Sequence, residues 1–163
     1  MTQPSTQFDT FVIEREFAAP LARVFAAFSD PAVKRRWFAE GGTHDTEHYA
    51  LQFEVGGREQ ARYRLRPGTP LPGAVLEAEG VILDIVPQQR IVIASTMAIQ
   101  GQRMSASLHT FEFSGGAGKS TRMVFTHQAA FFEHADGPAM RRAGWEQLIA
   151  QLQRELDAGA EAH

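Results

Sequence analysis

Three groups of residues in this sequence have types and spacings that could support chemistry. The first, His44-Asp45-Thr46-Glu47-His48, matches H-x-x-E-H, the inverted zinc-protease pattern. That chemistry needs both histidines on one helix face, a third acidic ligand and a polarised water. Here Gly41-Gly42 precedes the motif and an alternating strand-like segment follows it, so an exposed polar loop without metal is expected. The second group is His109 and His127. They are in phase with Phe111/Phe113 and Met123/Phe125, which places both imidazoles toward one apolar interior on neighbouring strands. Neutral imidazoles there could orient a polar ligand group or act as a general base. The plainer alternative is a pair of strand-end histidines bonded to backbone or water. Tyr63 is comparable, a core residue whose hydroxyl needs a partner if buried. The third group is the row Arg58, Arg62, Arg64 and Arg66, which reads as the solvated face of an antiparallel strand rather than an anion site.

Other chemistries lack their signatures. Ser105 and Ser107 with His109 and Asp84 form no recognisable hydrolase set, and there is no G-x-S-x-G elbow. Gly115-Gly116-Ala117-Gly118 is expected to join two antiparallel strands and opens no helix, so it is no phosphate loop. With no cysteine, thiolate catalysis and disulfides are excluded. No catalytic set, metal or cofactor is assigned. The net charge of −3 gives no electrostatic case for nucleic acid or an anionic membrane. No apolar run reaches the length of a membrane span, and residues 1–9 lack a signal-peptide core, so a soluble cytoplasmic protein is expected.

The positioning elements follow from periodicity. The 163 residues, 44% hydrophobic and 21% charged, suit one domain over 1–163 with an ordinary core. Residues 1–8 and 159–163 read as flexible tails. Phe11, Ile13 and Phe17 mark a first strand, with Arg15 either at its end or pointing inward. Leu21, Val24, Phe25 and Phe28 follow helical spacing, and Asp30-Pro31 caps a second short helix that ends at Trp37-Phe38 before Gly41-Gly42. Leu51, Phe53 and Val55 alternate, Gly56-Gly57 signals a two-residue hairpin, and Ala61, Tyr63 and Leu65 return. The proline-rich stretch 66–74 reads as a loop and a candidate rim. Strands are expected near 76–86, 90–99, 103–113 and 120–128. In the 103–113 strand the apolar phase shifts from Met104/Ala106/Leu108 to Phe111/Phe113, which implies a bulge or a change of covered face. A long helix over Pro138–Ala158 carries Trp145, Leu148, Ile149, Leu152 and Leu156 as one stripe, with Asp136 as its expected N-cap. Gly144, unfavourable inside a helix, suggests close approach to a strand, a ligand or another backbone.

The expected fold is α+β. A curved, mainly antiparallel sheet of six to seven strands wraps a long C-terminal helix, and two short helices follow the first strand. Several segments carry a family resemblance: Ala19-Pro20 with Val24-Phe25, Asp30-Pro31 with Trp37-Phe38, and Val55-Gly56-Gly57. Further on come Gly80-Val81-Ile82 with Pro87 and Arg90-Ile91, Gly118 to Arg122 with Phe125-Thr126-His127, and Gly144 to Leu148. Over residues 10–158 the chain resembles the helix-grip fold of the START and birch-pollen-allergen superfamily. Within it, the chain is most similar to homologues of the Hsp-ninety ATPase activator's C-terminal domain. The resemblance implies a cavity between sheet and helix that holds a small apolar or aromatic molecule. Candidate ligand-binding residues are Trp37 and Phe38 from the short helices, and Trp145 and Leu148 from the long one. From the strands come Phe53, Tyr63, Met97, His109, Phe111, Phe125 and His127. Superfamily members also include polyketide cyclases and aromatases, so an enzyme using pocket histidines stays open. A chaperone-regulating partner module and a homodimer also stay open, although the sequence shows no contiguous interaction patch.

Overall fold

The structure, a computed structural model, describes residues 5–115 and 119–161. β1 (Gln7–Phe17) leads into α1 (Leu21–Ser29) and α2 (Pro31–Lys34), which continues as a π-helical turn over Arg35–Ala39. β2 (His44–Leu51), β3 (Arg58–Leu65), β4 (Val75–Val86), β5 (Arg90–Ile99), β6 (Gln102–Gly115) and β7 (Thr121–Phe131) follow, and α3 (Pro138–Glu161) ends the chain. The sheet order is β1-β7-β6-β5-β4-β3-β2, every neighbouring pair antiparallel. β2 to β7 are thus a meander, and β1 closes onto β7. The helical segment between β1 and β2 must therefore travel from one edge strand to the other. It does so under the same sheet face that α3 covers, and both supply residues to one core. This is the expected α+β helix-grip architecture, with seven strands.

Local signals explain most of the boundaries. Asp30 Oδ1 accepts from the Ala32 N–H at 3.0 Å, capping α2 with Pro31 in its first turn. Thr121, fully buried, donates from Oγ1 to the Ala19 carbonyl at 2.7 Å and ties β7 to the turn before α1. Arg15 is exposed. Bulges curve the sheet at Leu83 in β4 and at Met104 in β6, where Met97 and Ala98 pair with Ser105 and Arg103.

Several expectations are corrected. β1 begins at Gln7, inside the segment read as a tail, and α3 runs to Glu161. The expected turn at 116–118 lies outside the described residues. The strand expected from Leu51 to Val55 is displaced: β2 occupies His44–Leu51, and residues 52–57 form a turn. Gly57 accounts for that turn, since a Cβ there would sit 2.1 Å from the Gln52 carbonyl oxygen. The H-x-x-E-H segment is thus a strand rather than a loop, and it explains the arginine row opposite. Glu47 pairs with Arg62 and Arg64 at 3.2 and 3.0 Å, and Asp45 with Arg66 at 2.8 Å. These pairs are half-exposed and contribute little stability each. A bulge between Thr46 and His48 turns His44 inward and leaves His48 exposed, so the two histidines cannot share a metal. Among the described residues, no group of three or more potential ligands comes together for a metal ion. No helix there is long and apolar enough to cross a membrane.

Candidate functional site

Two halves of the interior differ in what the strands place there. Toward one end, Phe17, Val24, Phe28, Phe111, Phe113 and Met123 are closed in by Ile149, Leu152 and Leu156 of α3. Toward the other end the inward positions of β6 shrink, from Phe113 and Phe111 to His109, Ser107 and Ser105. β5 does the same, from Ile91 and Ile93 to Ser95 and Met97. Small side chains under a helix leave space, and a cavity of about 280 Å³ lies there, near the lower end of ligand pockets. Its apolar wall includes Phe38, Tyr63, Leu76, Ala78, Met97, Trp145 and Leu148, and its polar wall Ser95, Ser107 and His109. Gly41, Gly42 and Thr43 border it on one side and Met140, Gly144 and Gln147 on the other. Most of these border residues are exposed, so the mouth lies between the 41–43 loop and the first half of α3.

Three anchors hold this mouth. Gln151 Nε2 donates to the carbonyls of Trp37 and Glu40 at 2.8 and 3.0 Å, joining α3 to the end of the π-helical turn. His44 Nε2–H and Thr46 Oγ1 both donate to the Ala39 carbonyl at 2.7 Å, satisfying a backbone acceptor that the helix end leaves free. Arg141 is nearly buried. Its guanidinium bonds both Asp136 carboxylate oxygens and the Ser105 hydroxyl, each at 2.8 Å, and lies over the Phe131 ring. Asp136 therefore binds Arg141 and is no N-cap. Gly144 approaches neither strand nor backbone: a Cβ there would meet no atom within 4 Å, and the residue borders the cavity.

The two histidines come together as expected. His109 and His127 are register partners on β6 and β7, with ring centroids 4.9 Å apart. They are not equivalent. His109 borders the cavity, and its Nε2 lies 2.9 Å from Ser107 Oγ. Burial holds its pKa well below the usual 6.5, helped by the neighbouring His127, Lys34 and Arg141. His127 is fully buried, stacked on Phe11 at 4.5 Å, and among the described residues both its ring nitrogens are without hydrogen-bond partners. Burial, and after it the Arg141 charge, push its pKa down to about 4, with Asp136 opposing. Two neutral imidazoles are the result, one facing the cavity and one sealed behind it.

Of the other candidates, Phe38, Tyr63, Met97, Trp145 and Leu148 border the cavity. Trp37 does not: it is core, with Nε1 donating to the Ala27 carbonyl at 2.8 Å. Phe53 packs on Phe25 in the loop after β2, while Phe111 and Phe125 stack on each other at 4.5 Å in the closed half. The 67–73 loop contributes nothing to the cavity lining. Sequence reasoning missed Ser95, Ser107, Arg141 and Asp136. It also missed a buried ion pair behind Phe38. There Lys34 Nζ lies 2.7 Å from Glu59, which accepts from the Tyr49 hydroxyl at 2.7 Å. Burial, then the Glu59 charge, raise the pKa of both Tyr49 and Tyr63, keeping both phenols neutral. A charged residue in phase with apolar neighbours, such as Glu59 with Ala61 and Tyr63, is the signal that could have found the pair.

Comparison with known proteins agrees with this architecture. An uncharacterized protein from Rhizobium leguminosarum is 37% identical, superposes with a TM-score of 0.87, and the match covers 96% of this chain and 99% of that one. Protein Mll3558 from Rhizobium loti is 39% identical with a TM-score of 0.82, over 93% and 99% of the two chains. DynU16, from the dynemicin biosynthetic locus, shares the fold alone, at 19% identity and a TM-score of 0.63, over 93% of this chain and 48% of that one. No curated protein matches the chain. Residues 18–157 match the family described as Activator of Hsp90 ATPase homolog 1-like protein, and the chain belongs to that family.

Proposed function

We propose that this protein binds a small, largely apolar molecule in the cavity between its sheet and α3. The observation that carries this reading is the change in side-chain size along β5 and β6, which leaves about 280 Å³ open beside Trp145 while the other half of the same interior is filled. Closed packing is the rule in protein interiors, so a hollow of this size lined by aromatic and aliphatic groups is a ligand site by default. Removing apolar ligand surface from water contributes about 25 cal/mol per Å². Phe38, Tyr63, Met97, Trp145 and Leu148 supply the contacting surface, and His109 a neutral polar group. N-phenylnaphthylamine, which fluoresces in apolar surroundings, tests this. Saturable one-to-one enhancement is expected, and Gly144→Leu, which puts a side chain beside the cavity without breaking the helix, should weaken it by about tenfold or more (about 1.4 kcal/mol). No enhancement with the unaltered protein would contradict the reading.

A second reading, proton transfer on the bound molecule, is favoured by one contact. His109 is neutral and 2.9 Å from the Ser107 hydroxyl at the cavity wall, a geometry suited to a general base. Polyketide-like substrates consumed by the unaltered protein and untouched by His109→Gln would support it. Equal rates in both proteins would remove it.

A further inference from the structure

The polar wall of the cavity has a definite composition. Ser95 on β5 and Ser107 on β6 face each other directly in register, and both border the cavity. Cross-strand partners of this kind have Cβ atoms about 5 Å apart, so one ligand atom can reach both hydroxyls. Ser107 is also in contact with His109, which extends the row by a third hydrogen-bonding group. The next serine, Ser105, is occupied by Arg141 and closes the row. Hydroxyls both donate and accept, so this wall can satisfy a hydroxyl or a carbonyl equally.

The charges around the cavity narrow the class further. The ionised residues that border it, Asp136 and Arg141, form a two-point pair with each other and cancel. The buried Lys34 and Glu59 behind Phe38 cancel in the same way. A ligand carboxylate would enter with no net positive charge to meet it, and burying an unpaired charge is costly. Phe38, Tyr63 and Trp145 also border the cavity, and their aromatic rings suit a planar apolar body.

Resting on the reading that the cavity binds an apolar molecule, we propose that its ligand is a neutral aromatic compound bearing a hydroxyl or carbonyl group. Ser95, Ser107 and His109 hold that group, and Phe38, Tyr63 and Trp145 hold the ring. Ser95 and Ser107 thereby select against bare hydrocarbons, and the mutually cancelled charges around the cavity against acids. A site built to hydrogen-bond a group rejects an analogue lacking it, because its own polar atoms are left unpaired.

Displacement of N-phenylnaphthylamine by three ligands matched in ring position tests this: naphthol, methylnaphthalene and naphthoate. Naphthol should bind about tenfold or more tightly than either of the others, as expected for one or two well-placed hydrogen bonds. In the double variant Ser95→Ala, Ser107→Ala the preference for naphthol over methylnaphthalene should fall below about threefold. Methylnaphthalene binding as tightly as naphthol to the unaltered protein would overturn the selection while leaving an apolar cavity in place. Naphthoate binding tightest would overturn it in favour of an anion site. If neither the dye nor any of the three binds, the cavity reading fails and this inference fails with it.

Discussion

The closed and open halves of the interior are built from the same strands and the same helix. On β6 the inward residues run Phe113, Phe111, His109, Ser107, Ser105, and on β5 they run Ile91, Ile93, Ser95, Met97. α3 follows the same gradient, with Leu156, Leu152 and Ile149 over the closed half and Trp145, Gly144 and Met140 over the open one. Trp145 sits at the border, 4.5 Å from the Phe125 ring and 5.1 Å from that of His109. The larger buried core cluster fills the closed half. The other half is free to be hollow, and the residues that hollow it are small rather than conspicuous.

The sharpest way to break this contrast is to truncate equivalent positions in the two halves. Phe125→Ala should cost about 3–5 kcal/mol, because the ring stacked on Phe111 and packed against Trp145 would leave a cavity that its neighbours cannot fill. Met97→Ala, which only enlarges an existing cavity, should fall at the low end of the range for such truncations, about 2 kcal/mol. Equal losses by urea denaturation would erase the distinction.

Loss of the Lys34–Glu59 pair should rank nearly as high. Glu59→Gln leaves a buried ammonium without its counter-charge, at a cost of about 3–5 kcal/mol. The double variant Lys34→Met, Glu59→Gln should recover much of that, since no charge is then stranded. A thermal melt of the single and double variants checks the order.

The sealed histidine gives the next effect. His127 has an unfolded pKa near 6.5 and a folded one of about 4, so between these values the unfolded chain binds more protons. Stability should be level above pH 6.5 and fall as the pH drops toward 4, by about 3 kcal/mol in total from this group. His109, shifted in the same direction, adds to the slope. His127→Leu should flatten the dependence in a denaturation series across that range; an unchanged slope would place its origin elsewhere.

The smallest effect sharpens the contrast from the open side. Gly144→Ala should stabilise α3 by up to about 1 kcal/mol, since nothing obstructs the added methyl. In the same protein, binding of N-phenylnaphthylamine should weaken measurably. A stability gain with unaltered binding would mean that Gly144 does not border the bound molecule.

Much of the fold was legible because its signals are periodic. The alternating residues of β3 and β7, the spacing of Leu21, Val24 and Phe28, and the α3 stripe each report one dominant face. β2 was misplaced because its inward residues, His44, Thr46, Tyr49 and Leu51, are mostly polar and cross a bulge, while Phe53 beyond it mimics a continuing strand. The cavity was less legible. On β6 the apolar residues Met104, Ala106 and Leu108 suggested one face, yet pairing with β7 runs unbroken from Ser105 to Gly115, so Ser105 and Ser107 share the inward face of His109, Phe111 and Phe113. Hydrophobicity marks what fills an interior, and a cavity is defined by what fails to fill it. The Asp136–Arg141 pair was hidden for a different reason. Gly137, at φ +87°, turns the chain between them, so their proximity follows no helical spacing.

The most direct test of the central claim is an amide chemical-shift map of the protein titrated with naphthol. Saturable shifts confined to residues around the open half, among them Ser107, His109, Gly144 and Trp145, with Phe113, Met123 and Leu152 unmoved, are the expected result. Shifts confined to the outer face of the sheet, or none at saturating ligand, would contradict a binding cavity in this half of the molecule.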